Sequence, residues 1–148
     1  MNYWLIKSEP QVYSIEDLKR ENTTIWDGVR NYQARNFLKQ MQKGDLAFFY
    51  HSNCKPPGIV GLLEIVETNI IDPTQFEPKS PYFDAKSSIN QPRWQTVKVQ
   101  FKQIFPALIC LNTLKNRFSP EELLVVKKGN RLSVVPVPEN TAKMILNL

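Results

Sequence analysis

The segment from Thr24 to Asn53 restricts the possible folds more than any other part of this sequence, because it specifies a helix, a tight turn and a strand in succession. Asn31 is a favourable N-cap, and apolar residues at positions 34, 37, 38 and 41 then recur at helical spacing. Gly44 is placed to end this helix in the left-handed conformation. The apolar run at 46–50 follows at once and predicts a strand.

Aromatic rings and short polar side chains flank this helix–strand unit at both ends. They are Trp26, Asp27, Arg30 and Asn31 before the helix, and Tyr50, His51, Ser52 and Asn53 after the strand. A helix followed by a returning strand brings its two ends to the same side of a small domain. Ring faces beside directional hydrogen-bonding groups are suited to a flat polar ligand such as a nucleobase. The sequence therefore predicts a base-binding site here.

Hydrophobic periodicity predicts an α+β fold of about six short strands and four or five short helices. Strands are expected at 3–6, 46–50, 59–66, 94–101, 106–111 and 131–137, and helices at 14–22, 31–43, 111–116, 119–124 and 138–146. This mixed order favours a curved sheet or barrel with helices packed against it. The segment 72–93 contains four prolines and is long for an unstructured loop, which indicates a functional or covering element.

Length and charge narrow the class of protein. The 148 residues fit one domain with a substantial core, and no apolar run is long enough to span a bilayer. We interpret Cys54 and Cys110 as free thiols in a reducing compartment. The net charge is +5, and residues 86–131 hold nine basic and two acidic residues. Such an excess suggests attraction to phosphate backbones, although a solvated lysine surface without a partner is an equal alternative.

The residue inventory argues against most catalytic sites. The one histidine, His51, has no obvious carboxylate partner for a nucleophilic relay. One histidine and two distant cysteines cannot supply the usual metal ligands, and the five glycines form no phosphate-binding pattern. The sequence therefore predicts no metal and no cofactor. An enzyme that uses His51 as an acid or base stays as an alternative.

Several side chains have two readings. Trp26, Trp94 and Tyr50 are candidates to clamp a base between ring faces, while a core ring or a surface-packing ring is the alternative for each tryptophan. Arg30 and Arg35 are candidate phosphate contacts or ordinary helix-surface charges. Candidates to read base edges are Ser8, Asn31, Ser52 and Asn53. Serine and asparagine at turns more often cap the backbone.

Seven blocks of the sequence resemble, in order, the EVE domain family. They are YWLIKSEP at 3–10, WDGVRNYQARN at 26–36, FFYHSNCK at 48–55, PGIVG at 57–61, SPYFD at 80–84, PRW at 92–94 and RLSV at 131–134. The resemblance covers nearly the whole chain and implies that residues 1–148 form one domain. It also implies a PUA-like fold, a curved β-barrel or mixed sheet with short helices around it, related in architecture to YTH and ASCH domains.

The family resemblance implies a non-catalytic nucleic-acid-binding module that reads modified bases, with modified cytosine in DNA as the leading ligand, by accepting a flipped base in an aromatic pocket. By motif, the pocket residues would be Ser8, Trp26, Asn31, Tyr50, His51, Ser52, Asn53 and Trp94. The phosphate contacts would be Lys7, Arg30, Arg35, Lys55 and Arg131. An RNA-binding module of the same fold is the alternative. The expected location is cytoplasmic, on the nucleoid of a bacterium, or nuclear in a eukaryote.

Overall fold

The computed structural model describes residues 1–148 and shows an α+β fold around a six-stranded mixed sheet. The strands are β1 (Tyr3–Ser8), β2 (Thr23–Ile25), β3 (Leu46–His51), β4 (Gly58–Ile71), β5 (Gln95–Cys110) and β6 (Val134–Val137). The helices are α1 (Ile15–Glu21), α2 (Tyr32–Gln40), α3 (Leu111–Arg117) and α4 (Glu139–Leu146), with 3₁₀ turns at Pro73–Phe76 and Leu124–Val126. The predicted fold class is confirmed. No helix combines the length and apolar character that crossing a membrane requires.

In the strand order β2-β5-β4-β3-β1-β6, the first strand, β1, lies between β3 and the last strand, β6. β1 pairs with β3 in parallel and with β6 antiparallel. Because β1 and β3 run in the same direction, Ser8 and His51 lie side by side where both strands end. β6 pairs on one side only, so Pro136 lies in an edge strand, where a missing N–H group is tolerated.

β4 and β5 are longer than predicted and form the largest strand pair. The separate strands expected at 94–101 and 106–111 are one strand, and β4 continues to Ile71. The pairing shifts register at several points, including between Ile59 and Gly61. Each shift breaks the alternation of buried and exposed residues, which explains why the sequence pattern predicts two short strands where the structure has one long strand.

Alternate residues of the central strands pack into two cores on opposite faces of the sheet. Leu5 and Phe48 belong to the core covered by α3 and α4. Trp4, Ile6 and Phe49 belong to the core covered by α1 and α2. The second core also contains Trp26, so the ring predicted to bind a base is anchored in the sheet from below.

The end of α2 differs from the prediction. The helix stops at Gln40, and Met41 is extended, although Gly44 has the expected positive φ of 96°. The cause is the buried carboxylate of Asp45, which accepts hydrogen bonds from the Trp4 indole and the Gln42 backbone N–H. Those bonds fix residues 42–45 as a turn after the helix. At the predicted 119–124 helix, Ser119 and Glu122 exchange capping bonds but close only one turn.

The long segment 72–93 is organised by one fully buried amide. Gln75 donates to the carbonyl oxygens of Asp72 and Trp94 through Nε2. Its Oε1 accepts from the Ser87 hydroxyl and from the backbone N–H groups of Arg93 and Trp94. The segment is therefore held against the start of β5, and it carries Tyr82 towards the end of β2.

Candidate functional site

An open cavity of about 980 Å³ lies where the C-terminal ends of β1, β2 and β3 meet the 72–93 segment. Its aromatic side chains are Tyr13, Trp26 and Tyr82, its carboxylates are Glu9, Glu21 and Asp27, and its cations are Lys7, Arg30 and Arg131. Acids and bases are equal in number, so the cavity itself has no excess of positive charge. Its walls combine ring surfaces with hydrogen-bonding groups.

Trp26 forms the floor of the cavity and is fixed by the core beneath it. Its ring meets Tyr13 and Phe49 edge to face, with ring centres 6.1 and 5.5 Å away, and only 8% of the residue is exposed. Its backbone is held by Val97 and by the hydroxyl of Thr96. The indole N–H has no protein acceptor, and no fully buried side-chain nitrogen in the chain lacks a partner, so this N–H reaches solvent. Trp26 therefore offers the cavity a donor.

Tyr13 and Tyr82 form the sides of the cavity. The Tyr13 hydroxyl donates to Glu21 at 2.6 Å, and burial together with this carboxylate raises the pKa of Tyr13. The Tyr82 ring lies against Gly28, where an added Cβ would be 2.7 Å from two ring carbons. Gly28 also has a φ of 85°, which side chains rarely adopt. A glycine at this position is what lets the 72–93 segment close over the cavity.

Asp72 and Arg30 tie the 72–93 segment to the loop after Trp26. The buried carboxylate of Asp72 accepts from the Gly28 backbone N–H at 2.9 Å and from Arg30 Nη1 at 3.1 Å. Arg30 also donates to the backbone carbonyls of Tyr82 and Val29 and to the Thr74 hydroxyl. Four of its five N–H groups are thus committed within the protein. Arg30 builds the wall of the cavity and has little capacity left for a phosphate.

The other two cations of the cavity are unpaired. The Lys7 ammonium makes no hydrogen bond or ion pair, and Nζ lies 5.9 Å from the centre of the Tyr50 ring. Partial burial lowers the pKa of Lys7, because a charge without a partner is poorly solvated there. Arg131 is exposed, lines the cavity and also forms no ion pair. These two side chains are free to receive an anionic ligand.

Of the thirteen residues predicted from the sequence, seven line the cavity: Ser8, Trp26, Ser52, Asn53, Lys7, Arg30 and Arg131. Three of these residues, the two serines and the asparagine, have polar groups, and they differ in whether those groups are already hydrogen-bonded within the protein. The Ser8 hydroxyl donates to the Tyr13 carbonyl, and the Asn53 amide donates to Glu9. The Ser52 hydroxyl has no protein partner and is open to a ligand.

Three predicted pocket residues serve the scaffold instead of lining the cavity. Asn31 is the N-cap of α2 and accepts from the Ala34 N–H at 2.9 Å. Tyr50 is buried in the other core, and burial raises its pKa to about 12. His51 accepts from the first N–H of α1, at Ile15, through Nε2 at 3.2 Å. Burial lowers the pKa of His51, which favours the neutral ring that this bond requires.

The remaining predicted residues lie outside the cavity. Trp94 stacks on Tyr32 with ring centres 4.8 Å apart, and its indole N–H donates to Asp84 at 2.8 Å. Arg35 donates to the Arg93 carbonyl and lies 4.8 Å from the Tyr32 ring centre. Lys55 is exposed in the loop between β3 and β4. The expected clamp of two tryptophans around one cavity does not form.

The prediction missed several residues that shape the cavity. Tyr13 and Tyr82 come from segments far apart in sequence, and no local pattern signals that they meet Trp26. Asp27 belongs to the polar flank before the helix, and the sequence predicts no role for it. Its side chain is open to the cavity and makes no hydrogen bond. The surrounding protein and the charge of Asp72 nevertheless raise the pKa of Asp27.

Comparison with known proteins assigns the family. The EVE domain matches residues 2–148 of the sequence. The chain belongs to the EVE domain family. It is 45% identical over 165 aligned residues to thymocyte nuclear protein 1 of Mus musculus, covering 99% of this chain and 73% of that protein.

Solved structures agree with this assignment. Human THYN1 protein in complex with 5-methylcytosine containing DNA is 43% identical, with a TM-score of 0.93 over 99% of this EVE domain and 96% of that chain. The YTH domain of Zygosaccharomyces rouxii MRB1, in complex with N6-methyladenosine RNA, is 18% identical, with a TM-score of 0.55 over 99% of this chain and 84% of that chain. At that identity the likeness concerns the fold alone. It agrees with the architecture expected from the sequence.

Proposed function

We propose that this chain acts as one EVE domain, residues 1–148, that reads modified cytosine in DNA by accepting the flipped base in the cavity beside Trp26. The observation that supports this most directly is the human THYN1 structure, which has the same fold and contains 5-methylcytosine DNA. The cavity adds support from the chain itself, because it offers the chemistry that a flipped base needs.

Size and surface chemistry suit a flipped nucleotide. Small-molecule sites usually measure about 300–1,000 Å³, so a cavity of about 980 Å³ admits the sugar as well as the base. Extracting a base from the duplex costs a few kcal/mol. Contact with the rings of Tyr13 and Tyr82 offsets this cost, at roughly 1–3 kcal/mol per stacked base. The unpaired groups at Trp26, Asp27 and Ser52 supply donors and acceptors for the base edge.

The backbone of the DNA is the proposed partner of Lys7 and Arg131, which are the unpaired cations at the cavity. Arg131 also belongs to the basic stretch 86–131, whose charge would attract DNA in a salt-dependent manner. We assign no phosphate role to Arg30, because its N–H groups hold the cavity wall. Arg35 and Lys55 are proposed only as more distant backbone contacts.

We propose that the domain binds DNA without catalysing a reaction. His51 was the candidate acid or base, and it is outside the cavity with Nε2 bonded to the start of α1. No group of three His, Cys, Asp or Glu side chains is arranged to hold a metal ion. We propose that the domain works where DNA is found, on the nucleoid of a bacterium or in the nucleus of a eukaryote.

The test measures binding of end-labelled duplexes that carry one central cytosine or 5-methylcytosine, by fluorescence anisotropy at low and at higher salt. A reader binds the modified duplex more tightly, and the ratio of the two affinities survives added salt. Equal affinities that fall together with salt would overturn the proposal, since only backbone attraction would remain. A competing RNA that displaces the modified duplex at equal concentration would favour the RNA-binding alternative.

Two variants locate the binding site. Trp26→Phe removes the free indole N–H and part of the cavity floor, and we expect a loss of roughly tenfold in affinity for the modified duplex. Trp94→Phe makes a matched change outside the cavity, and we expect affinity to stay within about twofold. Thermal melting of both variants checks that each is folded. Equal losses for the two variants would contradict the assignment of the cavity.

A further inference from the structure

We propose that Asp27 selects cytosine over thymine by accepting a hydrogen bond from the exocyclic amine at position 4 of the bound base. This inference rests on the proposed function and deepens it, because it names the side chain that identifies the base. Carboxylates are natural partners for the amine of cytosine.

Asp27 is singled out by the hydrogen bonds of the other carboxylates in the cavity. Glu21 accepts from the Tyr13 hydroxyl at 2.6 Å. Glu9 accepts from the Asn53 amide at 2.7 Å. The Asp27 carboxylate accepts no hydrogen bond from another residue and lines the same cavity. It is therefore the one carboxylate there that no other side chain engages by a hydrogen bond.

Two other groups that line the cavity complete the pattern that a cytosine edge requires. That edge presents one donor, the amine, and two acceptors, the ring nitrogen and the carbonyl. The adjacent Trp26 offers its free indole N–H, and Ser52 offers an uncommitted hydroxyl. One acceptor and two donor groups in the same cavity match the hydrogen-bonding groups of this edge. Burial by the surrounding protein and the nearby Asp72 charge both raise the pKa of Asp27, so an amine donor would relieve an unfavourable charge there.

Discrimination against thymine is a real requirement for a reader of 5-methylcytosine. The two bases share the ring outline and the methyl group, so a cavity that recognises only shape and methyl cannot separate them. At position 4 thymine carries a carbonyl oxygen where cytosine carries the amine. A carboxylate facing that oxygen would be left desolvated and unpaired, and a site of this kind rejects the wrong ligand strongly.

The test uses three duplexes that place 5-methylcytosine, cytosine or thymine opposite the same abasic site. Because none of these bases is paired, differences in the cost of extrusion are small. Binding is measured for the wild-type chain, for Asp27→Asn and for Glu77→Gln. The control makes the same charge change at an exposed residue whose charge reaches Asp27 but which does not line the cavity.

We expect the wild-type chain to prefer 5-methylcytosine over thymine by at least about tenfold. Asp27→Asn should reduce this preference to within about threefold, since an amide can turn to serve either base. Glu77→Gln should keep the wild-type preference. An Asp27→Asn variant that is folded by thermal melting and keeps the preference overturns the inference, as does a wild-type chain that shows none. Equal binding of cytosine and 5-methylcytosine would overturn the proposed function alone, because the preference of both over thymine still decides the role of Asp27.

Discussion

Trp26 and Trp94 received the same prediction and have opposite environments. Trp26 rests on Tyr13 and Phe49, and its indole N–H is free at the cavity. Trp94 is slightly more buried than Trp26, Tyr32 covers its face, and Asp84 accepts from its indole N–H. One ring is supported from below and open to a ligand, whereas the other is closed on its face and at its polar edge.

The difference shows that a tryptophan is available to a ligand only where contacts within the protein leave its ring face or its indole N–H free. The ring at Trp94 already has the interactions that a bound base would supply, namely a stacked aromatic ring and a nearby cation, with the Arg30 guanidinium 5.1 Å from its centre. The indole N–H at Trp26 has no such substitute. We therefore interpret Trp94 as the anchor of the 72–93 segment, whereas Trp26 remains the floor of the proposed binding site.

The largest effect is expected from removing the contacts that hold the Trp94 backbone. Gln75→Ala removes the buried amide that holds both backbone groups of Trp94. We expect a loss of about 2–4 kcal/mol in the free energy of unfolding, because the Trp94 N–H loses its acceptor inside the protein. Urea denaturation measures it.

Gln91→Ala is the matched control for Gln75→Ala, because the Gln91 side chain lies exposed in the same segment and makes no hydrogen bond. Its expected effect is within about 0.5 kcal/mol. If Gln75→Ala were no more destabilising than Gln91→Ala, the 72–93 segment would not depend on the buried amide.

The next test acts on the Trp26 side. Gly28→Ala places a methyl group against the Tyr82 ring at a residue with a φ of 85°. Gly129→Ala is a matched control, because Gly129 has a φ of 81° and no atom near the added methyl. We expect about 1 kcal/mol of backbone strain in both variants and roughly 1–2 kcal/mol more at Gly28 from displacing the ring. Urea denaturation compares the two, and equal losses would show that Tyr82 does not rest on Gly28.

The sequence predicted the scaffold well because the scaffold is encoded locally. The β1 and β3 strands and the Asn31 cap each depend on residues a few positions apart. The cavity depends on contacts over long separations, such as Gly28 with Asp72 and Trp94 with Gln75. Periodicity reports which face of an element is apolar, but it does not report which distant loop covers that face.

Nearby helix N-termini use the polar groups of two residues that were predicted to bind a base. Asn31 and His51 were assigned to the pocket for their hydrogen-bonding groups, and those groups are used by the nearest helix N-termini. The first N–H groups of a helix have no acceptor within the helix, so they compete with a ligand for a nearby asparagine or histidine. The Gly28 N–H, next to Asp27 in the sequence, donates instead to Asp72 from the distant 72–93 segment. No local sequence pattern indicates that contact.

A smaller effect is expected from uncovering Trp94 at its face. Tyr32→Ala removes the ring stacked on Trp94, and Tyr32→Phe keeps it. An aromatic pair contributes roughly 0.5–1.5 kcal/mol, so Tyr32→Ala should be less stable by about that amount, whereas Tyr32→Phe should match the wild type. Urea denaturation measures stability, and DNA anisotropy should be unchanged for both. Weaker binding of Tyr32→Ala alone would mean that the Trp94 side takes part in recognition.

The smallest effect is expected from protonation of His51, which lies beneath the Trp26 side and contacts Phe49 edge to face. Burial lowers the pKa of His51 from 6.5, and the nearby Glu16 opposes that shift only in part. The unfolded chain therefore binds a proton at a higher pH than the folded chain does. The contribution of neutral His51 to the free energy of unfolding is fully present above pH 6.5. It decreases as the pH falls from 6.5 through the lower pKa of the folded state.

A variant that cannot titrate at position 51 isolates the contribution of His51 to this pH dependence. His51→Gln retains an oxygen that can accept from the Ile15 N–H but does not titrate. In urea denaturation between pH 7.5 and pH 5, the wild-type chain should lose stability relative to His51→Gln, and the two should run parallel above pH 7. Parallel curves over the whole range would mean that His51 is as easily protonated in the folded chain as in the unfolded one. A neutral histidine would then not be needed to hold the start of α1 or, through Tyr13, to support the Trp26 ring.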